Sequence, residues 1–97
     1  MIETDTQTAP VLIDGAMTVY EAAEIRDTLG RAFREAGETG VTLDLSAVES
    51  CDAAGVQIIR AARRTAREAG TPFRVTATSE AVNGALRSAG LTLSEMI

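Results

Sequence analysis

The chain has no histidine, no lysine and no tryptophan, and only one cysteine. Without histidine no Cys-His pair can activate a thiol nucleophile. A lone Cys51 excludes an internal disulfide framework and fits a reducing compartment. Aromatic side chains make up only 3 % of the chain, so aliphatic residues and alanine must fill the core. No apolar run approaches the roughly 20 residues that span a bilayer. The opening "MIETDTQTAP" lacks the basic start and apolar centre of a signal peptide. These two features set the expectation of a cytoplasmic protein without membrane insertion. All nine basic residues are arginine, and fourteen acids leave a net charge of −5. That balance excludes the broad basic footprint of a general nucleic-acid binder.

What is present suits one globular domain. The 97 residues are 45 % hydrophobic and 24 % charged, and a domain of this size buries roughly 60–70 % of the surface of its unfolded chain. Residues 1–9, polar and threonine-rich, read as a flexible tail, with the domain over 10–97. "PVLID" is a short strand ending at an Asp14-Gly15 turn signal, and "AMTV" is either a second short strand or the approach to a helix. Thr18 and Glu21 form a capping-box pattern. Ala22, Ile25, Leu29, Ala32, Phe33 and Ala36 then mark one helical face, which Gly37 stops. In "VTLDLS", Val41, Leu43 and Leu45 alternate as in a strand, expected at the centre of the sheet, and a loop follows. Asp52 suits the N-cap of a second helix with Val56, Ile59, Ala62, Ala66 and Ala69 inward, Ile58 flanking, and Gly70 at its end. "TPFRVTAT" alternates again through Phe73, Val75 and Ala77. Ser79 or Thr78 caps a third helix carrying Val82, Ala85, Leu86 and Ala89, ended by Gly90, and "LTLSEMI" trails as a strand or a packed tail. Strands alternating with helices predict an α/β domain with a small, mostly parallel sheet flanked by helices.

The junction "VESCDAAGVQ", residues 48–57, places a thiol and two acids where strand passes to helix. A cysteine there has the layout of phosphatases and sulfurtransferases, in which a helix N-terminus lowers the thiol pKa. The phosphatase chemistry also needs an arginine six positions on to grip phosphate. That position is Gln57, and Asp52 beside the thiol opposes both a thiolate and a bound anion. The expectation is therefore a structural cysteine and no catalytic residue. Asp44 and Asp52 together suggest a magnesium or phosphoacceptor pair as in response-regulator receivers. A receiver also needs an acidic pair after its first strand and a late lysine, whereas this chain has Asp14 alone and no lysine. The favoured reading is that Asp44 satisfies loop amides and Asp52 caps a helix, with no metal and no cofactor. Neither the P-loop pattern nor the dinucleotide fingerprint occurs around Gly55.

One helical feature goes beyond packing. Arg60, Arg63, Arg64 and Arg67 fall within an arc of roughly 100°. Their like-charged i,i+4 pairs oppose the helix by a few tenths of a kcal/mol each, and only Glu68, four residues after Arg64, offsets them. The stripe either covers neighbouring alanines with its stems or receives an acidic partner.

The strand Leu43–Ser46, the segment Asp52 to Gly55 at a helix start, the early "DGAMTV", and the terminal "ALRSAGL" from Ala85 to Leu91 occur in an order that resembles the STAS domain family. The resemblance covers nearly the whole chain past the tail. It implies an α/β fold and a non-enzymatic role as a bacterial regulatory module. In the anti-sigma-factor antagonist branch, the domain docks on a kinase-type anti-sigma factor, which phosphorylates a serine in D-S-S-G and so breaks the complex. Two negative charges at a docking surface repel and desolvate poorly. Here both serine positions are alanine, Ala53 and Ala54, the phosphosite equivalent being Ala54. Ser50, in the preceding loop, is the nearest substitute. The expected partner-binding surface is Asp52, Ala53, Ala54, Val56, Gln57 and Arg60. Its partner is then an anti-sigma factor or serine-kinase-like protein, a component of a chemotaxis complex, or the ATPase of a lipid-transport ABC system with this chain as accessory subunit.

Overall fold

The computed structural model describes residues 10–92. The expected tail over 1–9 and residues 93–97 of "LTLSEMI" lie outside the described residues. Three strands alternate with three helices: β1 (Pro10–Met17), α1 (Ala22–Ala36), β2 (Val41–Cys51), α2 (Ala53–Ala69), β3 (Phe73–Thr78) and α3 (Glu80–Ser88). The sheet order is β1-β2-β3, with both pairs parallel and β2 central as expected. The α/β architecture is the one the alternation predicts.

Both long strands run further than their sequence patterns suggest. Asp14-Gly15 is not a turn; β1 continues through it, with Gly15 at φ 71°. β2 does not give way to a loop after Ser46 but pairs with β1 as far as Met17↔Cys51. The cause is a pair of irregularities in the ladder. Between Leu12 and Asp14 the pairing moves from Asp44 to Ala47, and between Gly15 and Ala16 from Val48 to Ser50, so β2 carries an extra residue each time. A bulge of this kind flips the inward face. After Val41, Leu43 and Leu45, the next buried residue is therefore Val48 rather than Ala47. Asp44 braces the first irregularity, its Oδ1 accepting from Ser46 N at 2.9 Å and Ser46 Oγ at 2.7 Å.

Ile13, Met17, Leu43, Leu45, Val48 and Val75 face the core, where they meet Ile25 and Leu29 of α1, Val56, Ile58 and Ile59 of α2, and Val82 and Leu86 of α3. The alternate residues Leu12, Asp14, Ser46, Arg74 and Thr76 are exposed. The helices pack side by side, α1 on α2 and α2 on α3, so they cover one face of the sheet. Among the described residues no element covers the other face, an arrangement parallel sheets seldom show, and the side chains exposed there are mostly polar.

The caps largely follow expectation. Ser79 accepts from Val82 N at 3.2 Å and so caps α3. At Thr18 only half of the capping box forms. The Glu21 carboxylate accepts from Thr18 N at 3.1 Å and from Thr18 Oγ1 at 2.6 Å, while the hydroxyl accepts from Tyr20 N at 3.3 Å instead of from the helix. Residues 18–21 consequently make a turn of their own, and α1 starts at Ala22. Two helix-face expectations change. Ala69 and Ala89 are exposed because each lies at its helix's last residue or just past it, beyond the sheet. Ile58 does not flank the face but is 1 % exposed, held in the seam between α1 and α2.

Candidate partner-binding surface at the start of helix α2

β1 and β2 end side by side at Met17 and Cys51. From Met17 the chain turns outward through residues 18–21, and from Cys51 it enters α2. Asp52 ties these two exits together. Its extended backbone (φ −123°, ψ −168°) sets it at the N-cap, where Oδ1 accepts from Ala54 N at 2.9 Å and Gly55 N at 3.2 Å. The other oxygen, Oδ2, accepts from Val19 N at 3.2 Å, 33 residues away in sequence. The cap expected from sequence is thus also a brace between the β1–α1 turn and α2.

Gly55 lets the helix come this close. A Cβ there would meet the Met17 carbonyl oxygen and would lie 2.6 Å from Cys51 Sγ. Gly55 is buried in the helix's first turn with an ordinary helical backbone, so it serves close approach rather than a left-handed turn. The last position of the D-x-x-G segment is therefore a packing requirement.

On this frame Ala53, Gln57 and Arg60 are exposed and Ala54 is half-buried. Val56 follows its expected inward helix position and so departs from the expected surface. It is 2 % exposed and belongs to the core, because its position in the first turn faces the sheet. Ser50 also differs: it lies in β2, opposite Ala16, and not in a loop. Two residues that sequence reasoning missed join the surface. Val19 is 61 % exposed and Tyr20 is 90 % exposed, both in the turn that Asp52 holds. Their signal was present: an apolar pair between strand and helix that falls outside the 3.6-residue pattern starting at Ala22.

Cys51 is half-buried, and its thiol donates to the Asp52 carbonyl oxygen at 3.6 Å. Burial first, and then the neighbouring Asp52 carboxylate, raise its pKa above the ordinary value. It is protonated at neutral pH, the opposite of what nucleophilic catalysis asks of a cysteine. Asp44 and Asp52 do not meet. Asp44 lies opposite Leu12 and Cys51, just before Asp52, opposite Met17, and five β1 steps of about 3.3 Å put roughly 15–20 Å between the two acids. The Ser46 hydroxyl, with the Ser46 amide second, lowers the Asp44 pKa. Among the described residues no group of three or more Cys, Asp or Glu side chains is placed to hold a metal ion.

Along α2 from this surface, Arg60, Arg64 and Arg67 are exposed and Arg63 is half-buried. The opposite flank of the helix, through Ile58, Ala61, Ala62 and Thr65, lines an apolar groove shared with Leu29 and Phe33 of α1. The arginines therefore form a ridge on the side away from α1. Among the described residues no helix is long and apolar enough to cross a membrane.

Comparison with known proteins bears on this arrangement. No curated protein sequence matches the chain. Among solved structures it is similar to one titled "Crystal Structure Analysis of Mglu", with a TM-score of 0.61 and 20 % identity over 75 % of this chain. The match spans only 18 % of that much longer chain, and at this identity the likeness is one of fold. The family model described as "Mlab, STAS domain" matches residues 1–96, nearly end to end. The chain belongs to the STAS domain family.

Proposed function

We propose that this chain is a non-enzymatic, bacterial, cytoplasmic regulatory module that docks a protein partner on the lip formed by residues 18–20 and the start of α2. The observation that carries this reading is the Asp52 brace. It holds the exposed Val19 and Tyr20 against a helix start whose outward side chains, Ala53 and Ala54, are small. A preformed lip of small residues beside an aromatic anchor lets another chain approach closely and loses little entropy on binding. The raised pKa of Cys51 supports a structural thiol in place of a nucleophile.

By its resemblance to the antagonist branch, the partner is a kinase-type anti-sigma factor or a related signalling protein. The usual switch is missing, since Ala54 stands at the phosphosite and has no hydroxyl. That same alanine favours a second reading, an accessory subunit of a lipid-transport ABC system or a member of a chemotaxis complex, where binding needs no phosphorylation.

The test has two parts. Affinity capture with mass spectrometry isolates the partner, and calorimetric titration then compares the wild type with Ala54→Glu. A glutamate in the first turn suits the helix dipole, so the fold persists while affinity falls by at least about tenfold. Unchanged affinity moves the interface off the lip. Incubation of the complex with ATP leaves residues 50–55 unmodified; phosphate on Ser50 shows that the switch has been relocated.

A further inference from the structure

The α2 ridge has no structural explanation sufficient for all four arginines. Arg67, in the last turn, suits the negative end of the helix dipole. Arg64 has Glu68 one turn on. Arg60 and Arg63 have neither, and they repel Arg64 and Arg67 at i,i+4. The contrast with α1 is informative. Its Arg26, Arg31 and Arg34 are interleaved with Glu24, Asp27 and Glu35, whereas Ala53–Ala69 carries four arginines and one acid on a chain of net charge −5. α2 is thus a local inversion of charge. Arg60 lies two turns into the helix that Asp52 caps, so the ridge continues directly from the lip holding Val19 and Tyr20. Tyrosine and arginine are the residue types enriched at the energetic centres of interfaces.

We propose that the ridge Arg60, Arg64 and Arg67 selects a protein partner by an acidic surface, which lies along α2 while an apolar contact seats on Val19 and Tyr20. This rests on the reading of the lip as a docking site and adds the partner's chemistry to it. The arginines steer encounter and fix the direction in which the partner lies. They also set a salt dependence that the lip alone does not have.

The test uses two synthetic helical peptides that share one apolar face and differ only in carrying glutamate or lysine along its flanks. Fluorescence anisotropy measures their binding to the full chain. The wild type binds the glutamate peptide more tightly than the lysine peptide by at least about tenfold, and salt weakens that preference. A triple variant, Arg60→Glu, Arg64→Glu and Arg67→Glu, reverses the preference. A second triple, Arg26→Glu, Arg31→Glu and Arg34→Glu, makes the same change in net charge on α1 and leaves it standing. Circular dichroism checks that both remain folded, and the corresponding glutamine triple on α2 replaces the first if it does not. No preference, no binding of the glutamate peptide, or equal loss in both triples overturns the proposal. So does co-sedimentation with phosphatidylglycerol vesicles that the α2 triple abolishes, which assigns the ridge to lipid. Titration of Ala54→Glu against the isolated partner reads the lip separately, so failure of the ridge leaves that reading intact.

Discussion

Replacing Gly55 by alanine tests the packing of the site directly. The new methyl would meet the Met17 carbonyl oxygen, with Cys51 Sγ 2.6 Å and Met17 Cγ 3.2 Å away. Met17 is fully buried and its carbonyl is main chain, so neither can swing aside. The start of α2 must lift off β1 instead. Overpacking of this kind costs about 1–3 kcal/mol, against a gain of up to about 1 kcal/mol from replacing glycine by alanine in a helix. The lift also stretches the bonds from Asp52 to Ala54, Gly55 and Val19, so the upper half of the range applies. A net loss of about 1–2 kcal/mol lowers Tm by roughly 5–15 °C for a domain this size. Gly30→Ala is the matched control. It lies within α1, and the nearest atom to its new methyl is the flexible Arg34 Nη1 at 3.5 Å. That variant keeps or raises Tm by the propensity gain. Thermal unfolding followed by circular dichroism compares the pair. If Gly55→Ala melts as high as Gly30→Ala, α2 is not in close contact with the end of β1.

Asp52→Ala removes the cap and the bond to Val19, lowering stability by about 1–3 kcal/mol in a denaturant melt, and Asp52→Asn loses less. Equal losses contradict a brace that depends on oxygen acceptors. The raised Cys51 pKa favours the protonated thiol in the folded state, so its contribution is complete below the ordinary value of 9.0 and is lost as pH rises through the higher folded value. Cys51→Ser therefore flattens the fall of Tm on the alkaline side, and at neutral pH the native thiol reacts with iodoacetamide more slowly than free cysteine. The lowered Asp44 pKa has the opposite sign: stability is present above its ordinary 3.8 and is lost as pH falls through the folded value. Ser46→Ala, which removes the larger cause, makes Tm less sensitive to acid in that range.

The order of elements was legible because it rests on periodicity that nothing in the fold overrides. Ile25 and Leu29, Ile59 and Ala62, and Val82 and Leu86 all face inward as spaced. The full extent of β2 was not legible. Two extra residues against β1 shift the alternation, so Val48 reads as out of phase and "VESC" reads as loop. Gly15 misled for a related reason, since a positive-φ glycine suits a bulged strand as well as a turn. At the site, Asp52 was readable as a cap from local sequence alone. Its second bond, to Val19, joins residues 33 apart and leaves no local trace. Helical spacing put Val56 inward correctly; the expected docking surface misplaced it by taking in residues around the helix start without regard to the face each occupies. Val19 and Tyr20 became part of the site only once the turn holding them was placed beside α2.

The central claim is that partners meet the lip and not another face. Backbone resonances of isotope-labelled protein, followed as the isolated partner is added, report this residue by residue. The lip account predicts that the shifts concentrate on residues 18–20, Asp52 to Ala54, Gln57 and Arg60, and that Tyr20→Ser weakens binding while leaving Tm unchanged. Shifts confined to the open face of the sheet, at Leu12, Arg74 and Thr76, with full affinity in Tyr20→Ser, contradict it.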